Sequence, residues 1–209
     1  IFEFFRRLAE DNPSPETELE YGNAYQLVVA VALSAQATDV GVNKATRALF
    51  REVETPQQML ALGEDGLKEH IKTIGLFNSK AKNVIALSQL LVDEYGGEVP
   101  DTREDLVRLP GVGRKTANVV LGTAFGIPSG VVVDTHVKRI SNLLGLTENK
   151  NPDRIERDLI DLVPKKEWIN FAHRLIHHGR QICIARRPKC TECPLLKDCP
   201  RVGLPPLDI

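Results

Sequence analysis

Five residues near the middle of the chain leave the backbone little choice. In Leu109-Pro-Gly-Val-Gly113, the proline lacks an N–H donor and its ring clashes with the preceding turn, so a helix ends there. Gly111 and Gly113 permit positive φ. A new helix begins at Arg114, because Ala117, Val120, Leu121 and Ala124 recur at helical spacing. Two helices and a tight turn are therefore dictated locally.

The rest of the chain carries similar punctuation. Apolar spacing predicts helices over Ile1–Glu10 and Ala24–Ser34, although the valines of the second leave a buried strand open. Thr55-Pro56-Gln57-Gln58 reads as an N-cap, a first-turn proline and a capping-box glutamine. Further helices are expected from Asn78 or Ser79 to the Gly96-Gly97 stop, from Thr102 to Leu109, and over Arg114–Phe125. Val131–Val133 reads as a short extended link. Asp134 caps a helix to about Leu144, Asn151-Pro152 opens another, and Trp168, Phe171, Leu175 and Ile176 stripe the last long one. Ile74-Gly-Leu76 leading to Lys80 echoes Pro110-Gly-Val112 leading to Lys115, which suggests two similar helical hairpins. The expected class is all-α.

Composition narrows the function classes. With 42% hydrophobic and 26% charged residues the chain is globular rather than disordered. Aromatics at 5% argue against a β-sandwich and against RNA modules that stack bases on aromatic rings. The longest apolar run, Leu27–Leu33, falls far short of the roughly 20 residues that span a bilayer, so no membrane role is expected. No secretory signal is expected from the residues that open this sequence. A net charge of -1 argues at first against a nucleic-acid partner, but the charges are segregated. Residues 1–107 carry 10 basic and 18 acidic side chains, and residues 108–139 carry 5 and 1. Residues 165–209 carry 9 and 4. Two basic segments can thus address a polyanion.

Three constellations carry chemistry. The turn Leu109–Gly113 aims backbone N–H groups outward at a helix N-terminus, which suits a phosphate. Lys115 sits in that helix's first turn, where the macrodipole disfavours a cation. The same field, with partial burial, lowers a lysine pKa. Moving it from about 10.4 towards 7, as a nucleophilic amine requires, takes roughly 4 kcal/mol. Binding phosphate is the alternative role for Lys115. In Val131–Arg139, Asp134 is a helix cap that also suits stabilisation of an oxocarbenium-like sugar. Lys138 and Arg139 are expected to meet phosphate or solvent, and His136 to be structural. All four cysteines lie in Cys183-x6-Cys190-x2-Cys193-x5-Cys199-Pro200. Only one close pair exists, whereas zinc usually takes two, so an iron–sulfur loop is favoured and zinc stays open.

Together these residues resemble the endonuclease III family of helix-hairpin-helix DNA glycosylases. The likeness runs essentially end to end. It rests on Leu33–Val40 (LSAQATDV), Ile71–Ala81, Leu109–Leu121, Val133–Val137 (VDTHV), His178–Arg180 and the cysteine loop. It implies a two-domain all-α fold. Residues 18–130 would form a six-helix barrel with the hairpin at about 102–125. Residues 1–17 with 131–209 would form a [4Fe-4S] cluster domain with its loop at 183–199. Its implied partner is double-stranded DNA with oxidised pyrimidines or abasic sites, bound by a monomer. By the resemblance Lys115 attacks the sugar C1′ and Asp134 is the catalytic aspartate. Gln36 fills the gap left by a flipped base, Leu76 wedges beside the orphaned partner, and Gly111 and Gly113 hold phosphate. Cys183, Cys190, Cys193 and Cys199 hold the cluster, which is structural. A prokaryotic source would place the protein in the cytoplasm, on the nucleoid. The adenine-mispair branch is a monofunctional alternative, but it uses a glutamate in the buried helix, and Leu27–Ala37 contains none. A non-enzymatic hairpin module with a zinc knob is the third reading. The connector Ile127–Val131 is slightly longer than is usual in the family.

Overall fold

The computed structural model describes residues 2–207. Among them the regular structure is entirely helical. The α-helices are α1 (Phe2–Asp11), α2 (Ala24–Leu33), α3 (Asp39–Glu52), α4 (Pro56–Ile71) and α5 (Phe77–Tyr95). They continue with α6 (Arg103–Leu106), α7 (Arg114–Phe125), α8 (Thr135–Leu143), α9 (Pro152–Leu162) and α10 (Trp168–Gln181). Single 3-10 turns occupy Lys165–Glu167, Cys190–Glu192 and Leu196–Asp198.

The chain divides into two compact units, Glu18–Ser129 and Ile1–Thr17 with Gly130–Ile209. In the first, α2 is the central element. Tyr25–Leu33 are all buried, so the run that left a strand open is a helix with apolar neighbours on every side. Its one long polar residue, Gln26, is fully bonded. Its Nε2 donates to the carbonyls of Phe50 (2.9 Å) and Val53 (2.8 Å), and its Oε1 accepts from Gly22 N (2.7 Å). These bonds tie the start of α2 to the end of α3, and they remove the cost of an unpaired amide in the core. Leu49, Met59, Leu67, Val84, Leu87, Leu91, Val120 and Leu121 complete this core.

The capping box forms as the sequence predicts: Gln58 N donates to Thr55 Oγ1, and Gln58 Oε1 accepts from Thr55 N. Several boundaries differ from the sequence reading. The helix expected to run to Leu109 ends at Leu106, where α6 gives way to the hairpin turn. The helix α3 lies outside the expected elements and is capped by Thr38, whose Oγ1 accepts from Gly41 N at 3.1 Å. The helix α4 is broken at Gly63, whose φ of 75° no helix contains. Leu76 stands at the cap of α5, so that helix begins at Phe77.

In the second unit, α1 packs Phe4 and Leu8 against α10, with the Phe5 and Phe171 rings edge to face at 5.3 Å. Val137, Ile140, Ile155, Leu159, Phe171 and Leu175 form its centre. Arg174 straps the amino-terminal segment to α10. Its Nε donates to Asn12 O at 2.9 Å, and its Nη1 pairs with Glu167 at 3.1 Å.

Candidate functional site

The hairpin is built by α6, the Leu109–Gly113 turn and α7. Leu109 and Val112 are buried beneath it, while Gly111 and Gly113 are exposed. Gly111 adopts φ +81°, and a Cβ there would lie 3.1 Å from Asn83 Cβ on α5. The left-handed conformation favours glycine, and any side chain there would also need Asn83 to give way. Gly113 does not use the positive φ that glycine permits. It is extended (φ -92°, ψ 177°) and serves as the N-cap of α7 without a side-chain bond. No protein carboxylate occupies that helix's first turn, so its N–H groups and positive end face outward.

Lys115 follows, one residue into α7, and is exposed. The partial burial expected of it is absent in the free protein. Ala117, Asn118, Val120 and Leu121 anchor the same helix in the core, so the lysine stands on a rigid element. The other end of the hairpin is fixed to α5. Tyr95 Oη donates to Asp105 at 3.0 Å, Arg108 Nη1 donates to Tyr95 Oη at 2.8 Å, and Arg108 pairs with Glu94. Hydrogen bonds from Thr102 and Tyr95 hold the Asp105 carboxyl below its usual range.

Helix α5 also carries Leu76 at its start. Leu76 is 62% exposed and left-handed at φ +61°. Gln36, in the turn between α2 and α3, is exposed and left-handed at φ +56°. Among the described residues only Arg201 shares this conformation without being glycine. Strain of this kind persists where the surroundings impose it and clusters at functional positions.

In the second unit, Asp134 caps α8, accepting from Val137 N at 2.8 Å, and is half-buried. The expected cap is therefore present. His136 lies against α10. A Cβ on Gly179 would fall 2.7 Å from His136 Nδ1 and 2.9 Å from its Cβ, so the glycine of His178–Arg180 is there for close approach. Burial lowers the His136 pKa, with Arg139 and Arg180 adding to the effect and Asp134 opposing it. Arg139 does not reach outward to phosphate or solvent, as expected of it. It donates to the carbonyls of Gly179 and Cys183 and so links α8 to the start of the cysteine loop. No local signal in the sequence marks that long-range bond, or the seat of Gly111 on Asn83.

The connector before Asp134 is pinned in the first unit. Ser129 Oγ donates to Asn118 Oδ1 at 2.8 Å, and Arg103 donates to Ser129 O at 3.1 Å.

Cys183, Cys190, Cys193 and Cys199 line one cavity whose walls include Ile140, Leu144, Ile182, Leu195 and His178. All four are half-buried and free of disulfides. Among the described residues, no three His, Cys, Asp or Glu side chains converge on a point that suits a single ion. Burial pushes the thiols of Cys183 and Cys199 up and that of Cys193 up to about 11. Four thiolates in so apolar a cavity need a cationic core to offset their desolvation. The donor set and its enclosure therefore fit a metal group.

An all-α scaffold with a glycine hairpin, an exposed lysine on its second helix and a four-cysteine cavity defines a class. Residues 29–165 match the family described as HhH-GPD superfamily base excision DNA repair protein. The chain is 52% identical over 200 residues to endonuclease III of Rickettsia felis, covering 95% of this chain and 92% of that protein. It superposes with a TM-score of 0.90 on a non-covalent endonuclease III–DNA complex, at 43% identity, covering 96% of this chain and 93% of the other. A trapped endonuclease III–DNA covalent intermediate matches with the same score and identity, over 95% and 93% of the two chains. The chain belongs to the endonuclease III family.

Proposed function

We infer that this chain is a base-excision-repair DNA glycosylase with abasic-site lyase activity, acting on oxidised pyrimidines in duplex DNA. The observation that carries this reading is Lys115. It is exposed in the first turn of a helix, at that helix's positive end and two residues after the glycine turn, and the opposite face of the helix is buried. A lysine there gains from a negative ligand what it loses to the macrodipole.

The damaged nucleotide leaves the stack. Gln36 fills the space and Leu76 stands beside the unpaired base. The hairpin N–H groups of Gly111 and Gly113 hold a backbone phosphate. The neutral Lys115 amine attacks C1′, the C1′–N bond breaks, and the base departs with a proton. Asp134, ionised, stabilises the developing positive charge on the sugar or takes the lysine proton. The amine becomes an iminium, a Schiff base with the opened sugar. Loss of a C2′ proton then expels the 3′ phosphate by β-elimination.

Cys183, Cys190, Cys193 and Cys199 would hold a [4Fe-4S] cluster, whose role is to hold the loop in shape. With Cys190 and Cys193 as the one close pair, the spacing suits an iron–sulfur loop better than zinc, which usually takes two close pairs. Arg186, Arg187 and Lys189 then present positive charge on that loop. The protein acts as a monomer, and no helix among the described residues is long and apolar enough to cross a membrane.

Borohydride reduction during reaction with an abasic duplex tests the assignment. A covalent protein–DNA adduct is expected, and Lys115→Ala is expected to abolish it. An adduct that survives in the alanine variant overturns the role of Lys115, and base release without nicking favours a water nucleophile.

A further inference from the structure

The cysteine cavity contains one polar ring that neither the hairpin nor the chemistry at C1′ employs. His178, near the end of α10, lines the cavity and is 2% exposed. Its Nε2 lies 3.5 Å from Cys193 Sγ. Its Nδ1 is buried with no hydrogen-bond partner. The same residue grips the loop a second time through its backbone, because Cys183 N donates to His178 O at 2.8 Å. One residue thus touches the isolated first cysteine and the second member of the close pair.

The ring's direction of donation follows from the partner. A sulfur bound to metal as thiolate has lone pairs and no proton, so it can only accept. The nitrogen facing it must carry the hydrogen. The remaining Nδ1 then keeps its lone pair in an apolar wall, which costs less than burying an unpaired N–H. Leucine would fill the space as well for packing alone, and apart from the cysteines most of the cavity's lining is leucine and isoleucine, with Pro188, Lys189 and Arg201 completing it. An imidazole at this position is therefore explained by the sulfur it faces.

We propose that His178 is a positioning residue for the iron–sulfur cluster, donating Nε2–H to Cys193 Sγ while its carbonyl fixes Cys183. The proposal rests on the four cysteines being cluster ligands. A hydrogen bond to a ligand sulfur withdraws electron density and favours the more reduced cluster, so it raises the reduction potential. The residue sets two properties together: the register of the loop and the electron affinity of what the loop holds.

The test uses purified holoprotein without DNA. Iron and acid-labile sulfide are measured first; if the wild type holds neither, the cluster reading itself fails. With a stoichiometric cluster, voltammetry compares wild type with His178→Leu and His178→Gln. Glutamine places an amide donor near the original Nε2. Leucine is expected to shift the oxidised-to-reduced ratio about tenfold towards oxidised at a fixed potential, a fall of about 59 mV for one electron. Glutamine is expected to restore most of it, and the Fe–S(Cys) Raman bands should move in parallel. Equal potentials in wild type and leucine variant overturn the proposal. A measurement on the wild type covers variants that fail to assemble. With 15N-histidine, electron spin-echo modulation of the paramagnetic cluster should show one histidine nitrogen coupled to it, and absence of that coupling also overturns the proposal.

Discussion

Leu76 carries two opposed costs. Its side chain is 62% exposed and its backbone sits at φ +61°, which a γ-branched residue leaves gladly and glycine tolerates. Nothing in folding asks for leucine there. The expected outcome of Leu76→Gly is an unchanged or slightly raised Tm, since relief of about 1 kcal/mol of strain offsets the added chain entropy. Nicking of a lesion-containing duplex should fall by about tenfold. A variant that loses Tm but keeps its rate would make Leu76 a structural residue. At this scale the sequence was readable where a residue acts through its own backbone. Pro110, Gly111, Asp134 and Thr55 announce turns and caps through local chemistry, and the structure places caps or turns at each. It was unreadable where a residue acts across the fold. Arg139 bonds carbonyls 40 and 44 residues away, and nothing in its neighbours distinguishes it from a surface arginine. Gly113 shows the converse, since glycine permits positive φ but does not compel it.

Helix α5 connects features that lie far apart in the sequence. It begins at the Leu76 turn, seats Asn83 under Gly111, and ends at Tyr95 and Glu94, which hold α6. The hairpin's geometry thus depends on a helix outside it. Gly111→Ala is expected to cost about 1–3 kcal/mol, from the left-handed backbone and the 3.1 Å approach to Asn83 Cβ, and to weaken binding to abasic DNA. Asn83→Gly in that background should recover the steric share and leave the backbone share. Denaturant midpoints of the two single variants and the double variant separate these effects. Full additivity would mean that the two residues do not press on one another. The echo between the α4–α5 and α6–α7 hairpins is real at the level of helix, turn and helix, but their lysines differ. Lys115 is exposed one residue into its helix, whereas Lys80 is buried three residues into its own, with no partner for Nζ and a pKa lowered by burial. Sequence similarity at that spacing did not distinguish an outward lysine from an inward one, because the two turns place their helix starts differently.

For the molecule as a whole, pH should act on the two units in different ranges. In the unit containing Gly130–Ile209, burial lowers the pKa values of His136 and His173 below the usual 6.5. Unfolding lets these rings take up protons, so their contribution to stability is intact above about 6.5 and declines as pH falls below it. In Glu18–Ser129, Glu20, Glu69 and Asp105 have lowered pKa values through bonds to Arg47, Lys72 and Thr102 respectively. Their contribution is present above the ordinary carboxylate range and is lost as pH falls through it. The chain's one tryptophan, Trp168, lies in the unit containing Gly130–Ile209 and reports on it alone. The urea midpoint followed by its fluorescence should fall between pH 7.5 and 5.5, and less steeply in His173→Gln. A midpoint that does not change with pH would exclude burial of these rings as a source of acid sensitivity.

The strap from Arg174 to Asn12 and the edge-to-face contact of Phe5 with Phe171 have a consequence for synthesis on the ribosome. Helix α1 buries itself against α10, and the whole of Glu18–Ser129 is translated between them. That intervening unit has its own apolar centre and can condense while the chain is still growing. Phe4, Phe5 and Leu8 cannot, and they wait in solvent until about residue 175 has emerged. A nascent chain halted in that interval would carry an unmatched greasy stripe on α1, a surface that chaperones and proteases both recognise.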